Sequence, residues 1–166
     1  IEVNTDIADE NALLSLGDKI IIPPSPTTPN YNHPFPSDRL IDWMKTEEGG
    51  TGGTRDSCGS IPEKGKPFLC SYDDGFGNLT IGFGRNQHAQ REQTITHEQA
   101  VSLLEDDLNS AASHLKSSIA EESSRRLQIP FSFLTHQLDA LTSIIFNAGI
   151  NGYRNSKLHM DFISKG

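Results

Sequence analysis

Two carboxylic acids stand where acid–base chemistry is possible. Glu48 closes an apolar-patterned segment, four residues after Met44, and directly precedes Gly49-Gly50. Asp74 opens Asp74-Gly75-Phe76-Gly77-Asn78, a run of turn-forming residues between two alternating segments. A carboxyl at a helix C-terminal end, on the edge of the apolar face, is partly stripped of water and feels the negative end of the helix dipole. Both effects favour its protonated form. One protonated and one ionised carboxyl form the pair used in glycoside hydrolysis: the first protonates the departing oxygen, the second acts on the opposite face of the sugar. Taken alone the pair is a weak signal, because acidic residues are common at helix ends and in turns.

The surrounding pattern says what must position them. Ser37 is an N-cap candidate, and Leu40, Ile41, Trp43 and Met44 at helical spacing predict a helix ending at Gly49-Gly50, with Trp43 in the core. Residues 49–67 are rich in Gly, Ser, Thr and Pro and read as a long flexible loop, an insertion or a lid. Phe68, Cys70 and Tyr72, then Leu79, Ile81 and Phe83, alternate around the Asp74 turn and predict a β-hairpin with Phe83 in the core. Thr80, Gly82 and Gly84 share the opposite face of the second strand, a nearly bare strip expected to admit a bulky ligand.

Thr96-His97-Glu98-Gln99 is a capping box, and Val101, Leu104, Leu108, Ala111, Leu115 and Ile119 form one long apolar stripe. Glu105, Asp106 and Asp107 fall mostly off that stripe and read as solvated helix face. Leu134, Leu138, Leu141 and Ile145 predict a further helix stopping at Gly149, and another begins near Asn155 or Ser156. The pattern is α+β, a small hairpin lobe followed by helices.

Composition removes several alternatives. The formal net charge of −8 and the lack of a long Lys or Arg run exclude the footprint of a nucleic-acid binder. The same acidity counts against an enzyme that attacks anionic envelopes from outside, though not against one acting in a confined space beside its substrate. No apolar run approaches the length of a membrane span. Pro23, Pro24, Pro26, Pro29, Pro34 and Pro36 mark residues 1–36 as an extended linker or the end of an upstream domain, with a short helix near Ala12 to Leu16; residues 37–166 form the globular part. The chain starts with Ile and carries no signal-peptide pattern, and so reads as a piece of a longer or processed polypeptide. The six histidines show no metal-ligand spacing, and neither a metal nor a cofactor is expected. Cys58 and Cys70 suit a disulfide closing a short loop, worth about 3 kcal/mol on the chain-entropy model. Two free thiols are the alternative.

The combined string, Glu48-Gly49 followed by Tyr72-Asp73-Asp74-Gly75-Phe76-Gly77-Asn78-Leu79-Thr80-Ile81-Gly82-Phe83-Gly84, resembles the catalytic motif of the phage-type lysozymes, glycoside hydrolase family 24. The resemblance continues through Ile95 to Ala100, Ala140 to Gly149 and Gly152 to Leu158. It implies a lysozyme-like fold in which a long helix joins the hairpin lobe to a helical lobe. It further implies that Glu48 is the acid, that Asp74 positions the attacking water with help from Thr80, and that Asn147 lines the saccharide cleft. Asp73 falls one residue out of register. Arg85 is a candidate contact for an N-acetyl group, a peptide stem or a carboxylate, or an ordinary strand-end charge.

The implied reaction is inverting hydrolysis of the β-1,4 bond between N-acetylmuramic acid and N-acetylglucosamine, by a monomer secreted or delivered to the bacterial periplasm or cell wall. Peptidoglycan strands are the expected partner, and an immunity or inhibitor protein is a second candidate. The context suggested is a toxin-type effector or a modular hydrolase. The chain departs from the family pattern in the long loop between Glu48 and Tyr72, which leaves Glu47 and Glu63 as alternative acids. It also stops at Gly166, before the family's closing helices. A non-catalytic lysozyme-like binding module and a chitin-type glycosidase are the competing functions.

Overall fold

The computed structural model describes residues 35–50, 53–125 and 133–160. Most of the proline-rich lead therefore lies outside the described residues, as does the short helix expected within it. The element order is α1 (Asp38–Glu48), β1 (Phe68–Asp73), β2 (Leu79–Gly82), α2 (His97–Arg125) and α3 (Thr135–Arg154). This is an α+β chain with one two-stranded antiparallel sheet among the described residues.

Helix α1 starts as its sequence predicts. The Ser37 hydroxyl accepts from the Leu40 N–H at 3.2 Å, and its Oγ donates to Asp139 Oδ2 at 2.5 Å, which ties the helix start to α3. Leu40 and Met44, one turn apart, are buried. Trp43 is 49% exposed, contrary to the core position expected. It sits about 100° around the helix from Met44 and faces a groove shared with Arg39, His136 and Asp139. At the other end, Gly49 and Gly50 are required by close packing. A Cβ on Gly49 would lie 2.6 Å from Gly65 backbone atoms, and one on Gly50 would lie 2.4 Å from the Pro62 carbonyl oxygen.

That packing anchors the long loop, which is built rather than slack. Gly50 N–H donates to Lys66 O at 2.8 Å, and Ser57 N–H donates to Ser71 O on β1 at 2.8 Å. The carboxylate of buried Asp56 accepts from the Cys58 and Ser60 N–H groups. Cys58 and Cys70 form the disulfide, with Cα atoms 5.9 Å apart. The expectation of a flexible lid gives way, over the described part of the loop, to a strap stapled to β1.

The hairpin register pairs Tyr72 with Thr80 and Asp73 with Leu79, and an irregularity between Phe68 and Tyr72 shifts the pairing. Gly82 does not belong to an open strip. It is buried, and a Cβ there would meet Ile95 and Ala100 at 3.5–3.6 Å, so this stretch of β2 lies under the first turn of α2.

Helix α2 carries the capping box, Thr96 N–H donating to Gln99 Oε1 and Gln99 N–H donating to Thr96 Oγ1. Its 29 residues span about 44 Å at 1.5 Å per residue, and its two halves serve different cores. Ala100, Leu104 and Leu108 pack with Leu40, Met44 and Phe83. Ala111, Leu115 and Ile119 pack with Leu138, Leu141, Ile145 and Tyr153 of α3. Phe146 touches both clusters, at the waist between the lobes. Gly149, expected to stop α3, instead kinks it with φ 71°, and helical backbone resumes to Arg154. A further helical stretch occupies residues 157–160.

Candidate active site

Glu48, the last residue of α1, is delivered by the helix to a cleft of about 500 Å³ between the two lobes. Gly84 closes the approach from the hairpin side: a Cβ there would stand 3.6 Å from Glu48 Oε2. The carboxyl of Glu48 is half-buried and its pKa is raised, first by loss of water and second by the neighbouring Glu47 charge. Desolvation was anticipated from the helix face. Of the three candidate acids, Glu48 lines the cleft, whereas Glu47 and Glu63 are exposed and do not.

Asp74 has the opposite environment. Its Oδ1 accepts from the Phe76 and Asn78 N–H groups at 2.8 and 3.0 Å, and its Oδ2 accepts from Asn78 Nδ2 at 2.9 Å. These bonds lower its pKa, the Asn78 side chain contributing most. Tyr72 links the two acids. Burial, then the Asp74 charge, then the Glu48 charge all raise the pKa of its hydroxyl, whereas Asp74, Tyr72 and Thr80 are not among the residues that line the cleft with Glu48. Thr80 stands across the strand from Tyr72, only 3% exposed, its hydroxyl donating to the Asn78 carbonyl at 3.5 Å.

Arg85 and Asn147 both line the cleft. A tight turn, with Ile81 and Arg85 exchanging backbone hydrogen bonds, aims the Arg85 side chain at α2. There it meets Asp107 Oδ1 at 3.0 Å and approaches the Leu103 carbonyl at 3.5 Å. Asn147 Nδ2 donates to Ser143 O at 3.0 Å. Asp107 is therefore not plain solvated helix face. It is half-buried in the cleft wall, its pKa raised by desolvation against the lowering effect of Arg85. The grouping of Asp56 with Cys58 and Cys70 has both sulfurs spent on the disulfide.

Residues 68–165 match the family model for phage lysozyme. The chain belongs to the phage lysozyme family. An endolysin from Acyrthosiphon pisum secondary endosymbiont phage 1 is 28% identical over 90 residues, 54% of this chain and 55% of that one. The chain thus spans about half the length of this curated relative. Two solved structures share the fold. The endolysin from Escherichia coli O157:H7 phage FAHEc1 superposes with TM-score 0.55 at 22% identity, covering 78% of this chain and 67% of the other. The muramidase domain of SpmX from Asticaccaulis excentricus superposes with TM-score 0.53 at 19% identity, covering 78% and 69%.

The phage lysozyme match contains Asp74, Thr80, Arg85 and Asn147 but begins after Glu48. The cleft brings Glu48 back to the matched part across the inserted strap. Sequence reading missed Asn78 and Asp107. A side-chain amide four residues after a turn Asp was the available signal for the first; for Asp107 there was none short of tertiary structure. Asn78→Ala is expected to raise the Asp74 pKa, since it removes the largest stabiliser of the charged form while the two backbone donors remain. A ¹³C-carboxyl NMR titration reads this directly, and an unmoved Asp74 would contradict it.

Proposed function

We propose that this phage lysozyme-family chain is a muramidase that cleaves the β-1,4 bond between N-acetylmuramic acid and N-acetylglucosamine in peptidoglycan. Glu48 donates its proton to the glycosidic oxygen. Asp74, charged, orients a water on the opposite face with the help of Thr80, and the product is inverted. Asn147 and Arg85 contact the substrate in the cleft, Arg85 through the N–H groups that Asp107 leaves free. The site of action is the bacterial cell wall. No helix among the described residues is long and apolar enough to cross a membrane.

The observation that carries this reading is the contrast between two carboxyls: Glu48, half-buried where α1 ends at the cleft, which raises its pKa, and Asp74, held by three hydrogen bonds from Phe76 and Asn78, which lower its own. That is the division of labour expected of an acid and a charged partner.

The pH dependence tests it. Activity rises as Asp74 ionises, its pKa lowered from the ordinary value by the Asn78 and Phe76 hydrogen bonds, and falls as Glu48 loses its proton, its pKa raised from the ordinary value by desolvation. The expected kcat/KM profile on purified sacculi is a plateau at acidic pH between these limbs. Activity that keeps climbing through neutral pH would remove Glu48 from the role of acid.

A further inference from the structure

A second groove, of about 370 Å³, adjoins the catalytic pair. Its lining includes Arg55, Ser57, Tyr72, Asp73, Arg91 and Glu92. Four segments build it: the inserted strap, strand β1, the hairpin turn with the start of β2 at Gly77 and Leu79, and the connection leading to α2. Tyr72, whose hydroxyl feels both catalytic carboxyls, belongs to it, and Asp73 is the chain neighbour of Asp74.

The walls are fixed. The Cys58–Cys70 disulfide and the Ser57-to-Ser71 backbone bond hold the strap to β1, and Ser71 N–H donates to Gln93 O at 3.0 Å on the other side. Arg55 is braced on the Gly59 carbonyl. Neither Arg55 nor Arg91 forms an ion pair among the described residues, although three carboxylates line the same groove. Two of those carboxylates are engaged by backbone: Asp56 by Cys58 and Ser60, Asp73 by Gly75. Two guanidinium groups, the braced Arg55 and the exposed Arg91, thus line one groove without an ion pair among the described residues. Charged side chains of both signs make up half of the lining residues, and one face of the Tyr72 ring is covered by Phe68, with centroids 3.9 Å apart. Such a surface suits a charged ligand better than a sugar ring.

We propose that this groove binds the peptide carried by the glycan strand, with Arg55 and Arg91 holding its carboxylates and Asp73 and Glu92 its ammonium group. The proposal rests on the muramidase reading for the identity of the strand, and extends it from the sugar to the stem.

The probe is a free stem peptide ending in a diamino acid, titrated into the whole chain and followed by amide NMR. Saturable shifts are expected at Ser57, Ser71 and Arg91. Arg91→Ala, which removes no side-chain hydrogen bond or ion pair among the described residues, should weaken binding about tenfold, the share of one charge-assisted hydrogen bond. Arg55→Ala combined with it should abolish binding. On peptide-bearing strands the double variant should raise KM by more than tenfold and leave kcat unchanged, while peptide-free strands are cleaved as by the parent. Equal losses on both strands, unaltered peptide affinity in the double variant, or no saturable shift would overturn the groove. A parent chain that binds the peptide but cleaves neither strand would overturn the muramidase reading and uphold the groove.

Discussion

Glu48→Gln should lower muropeptide release from sacculi by on the order of 10² to 10⁴-fold, the range for loss of a positioned general acid. The substitution keeps the size of the side chain and removes only its transferable proton. The site is half-buried at a helix end with its charged form already disfavoured, so a neutral amide is tolerated there and the fold should persist. Circular dichroism and the melting temperature therefore stay near those of the parent while activity disappears. Turnover at the parental rate would pass the acid role to Glu47 or Glu63, both of which are exposed. Loss of activity without loss of fold would also eliminate a purely binding module, for which this position has no chemical duty.

Leu115→Ala should be among the most damaging changes to stability. Leu115 is fully buried where α2 packs on α3, in the cluster with Leu138, Leu141 and Ile145. Truncating a leucine in such a place removes its transfer energy and leaves a cavity, at a cost of about 2–5 kcal/mol. On the order of 10 °C in Tm is expected for a chain of this size. The effect should reach the cleft, because Ala111 and Ile145 of the same cluster line it. Denaturant unfolding of the variant measures the loss, and a change below about 1 kcal/mol would mean that α3 does not depend on this seam.

The turn of the β1–β2 hairpin was legible because its information is local. Asp74, Gly75, Gly77 and Asn78 specify a turn, but alternation placed Thr80 on an open face where the fold buries it, and the numbering of Asp74 and Thr80 as site candidates came from the resemblance to phage-type lysozymes. The start of α1 and the capping box of α2 were legible for the same reason. What failed depended on neighbours distant in sequence. Asp107 looked solvated because only the Arg85 turn, 22 residues away, reveals its partner. Gly82 looked open because nothing in the strand announces that Ile95 and Ala100 cover it. Trp43 looked like core because apolar spacing cannot say how much of α1 the rest of the fold will cover. The strap looked loose because its order comes from Cys58–Cys70, Asp56 and the Gly49–Gly65 approach, none of which has a periodic signature. The Glu48 assignment crosses that strap, and it is where sequence reading had least support and the cleft geometry adds most.

The central claim concerns which bond is cut and with what geometry, and the new sugar ends record both. Purified sacculi, or defined glycan strands, incubated with the parent chain and followed by ¹H NMR during the first turnovers should show new reducing ends on N-acetylmuramic acid, appearing first as the α-anomer and then mutarotating. Reducing ends on N-acetylglucosamine, or a β-anomer formed first, would contradict the account.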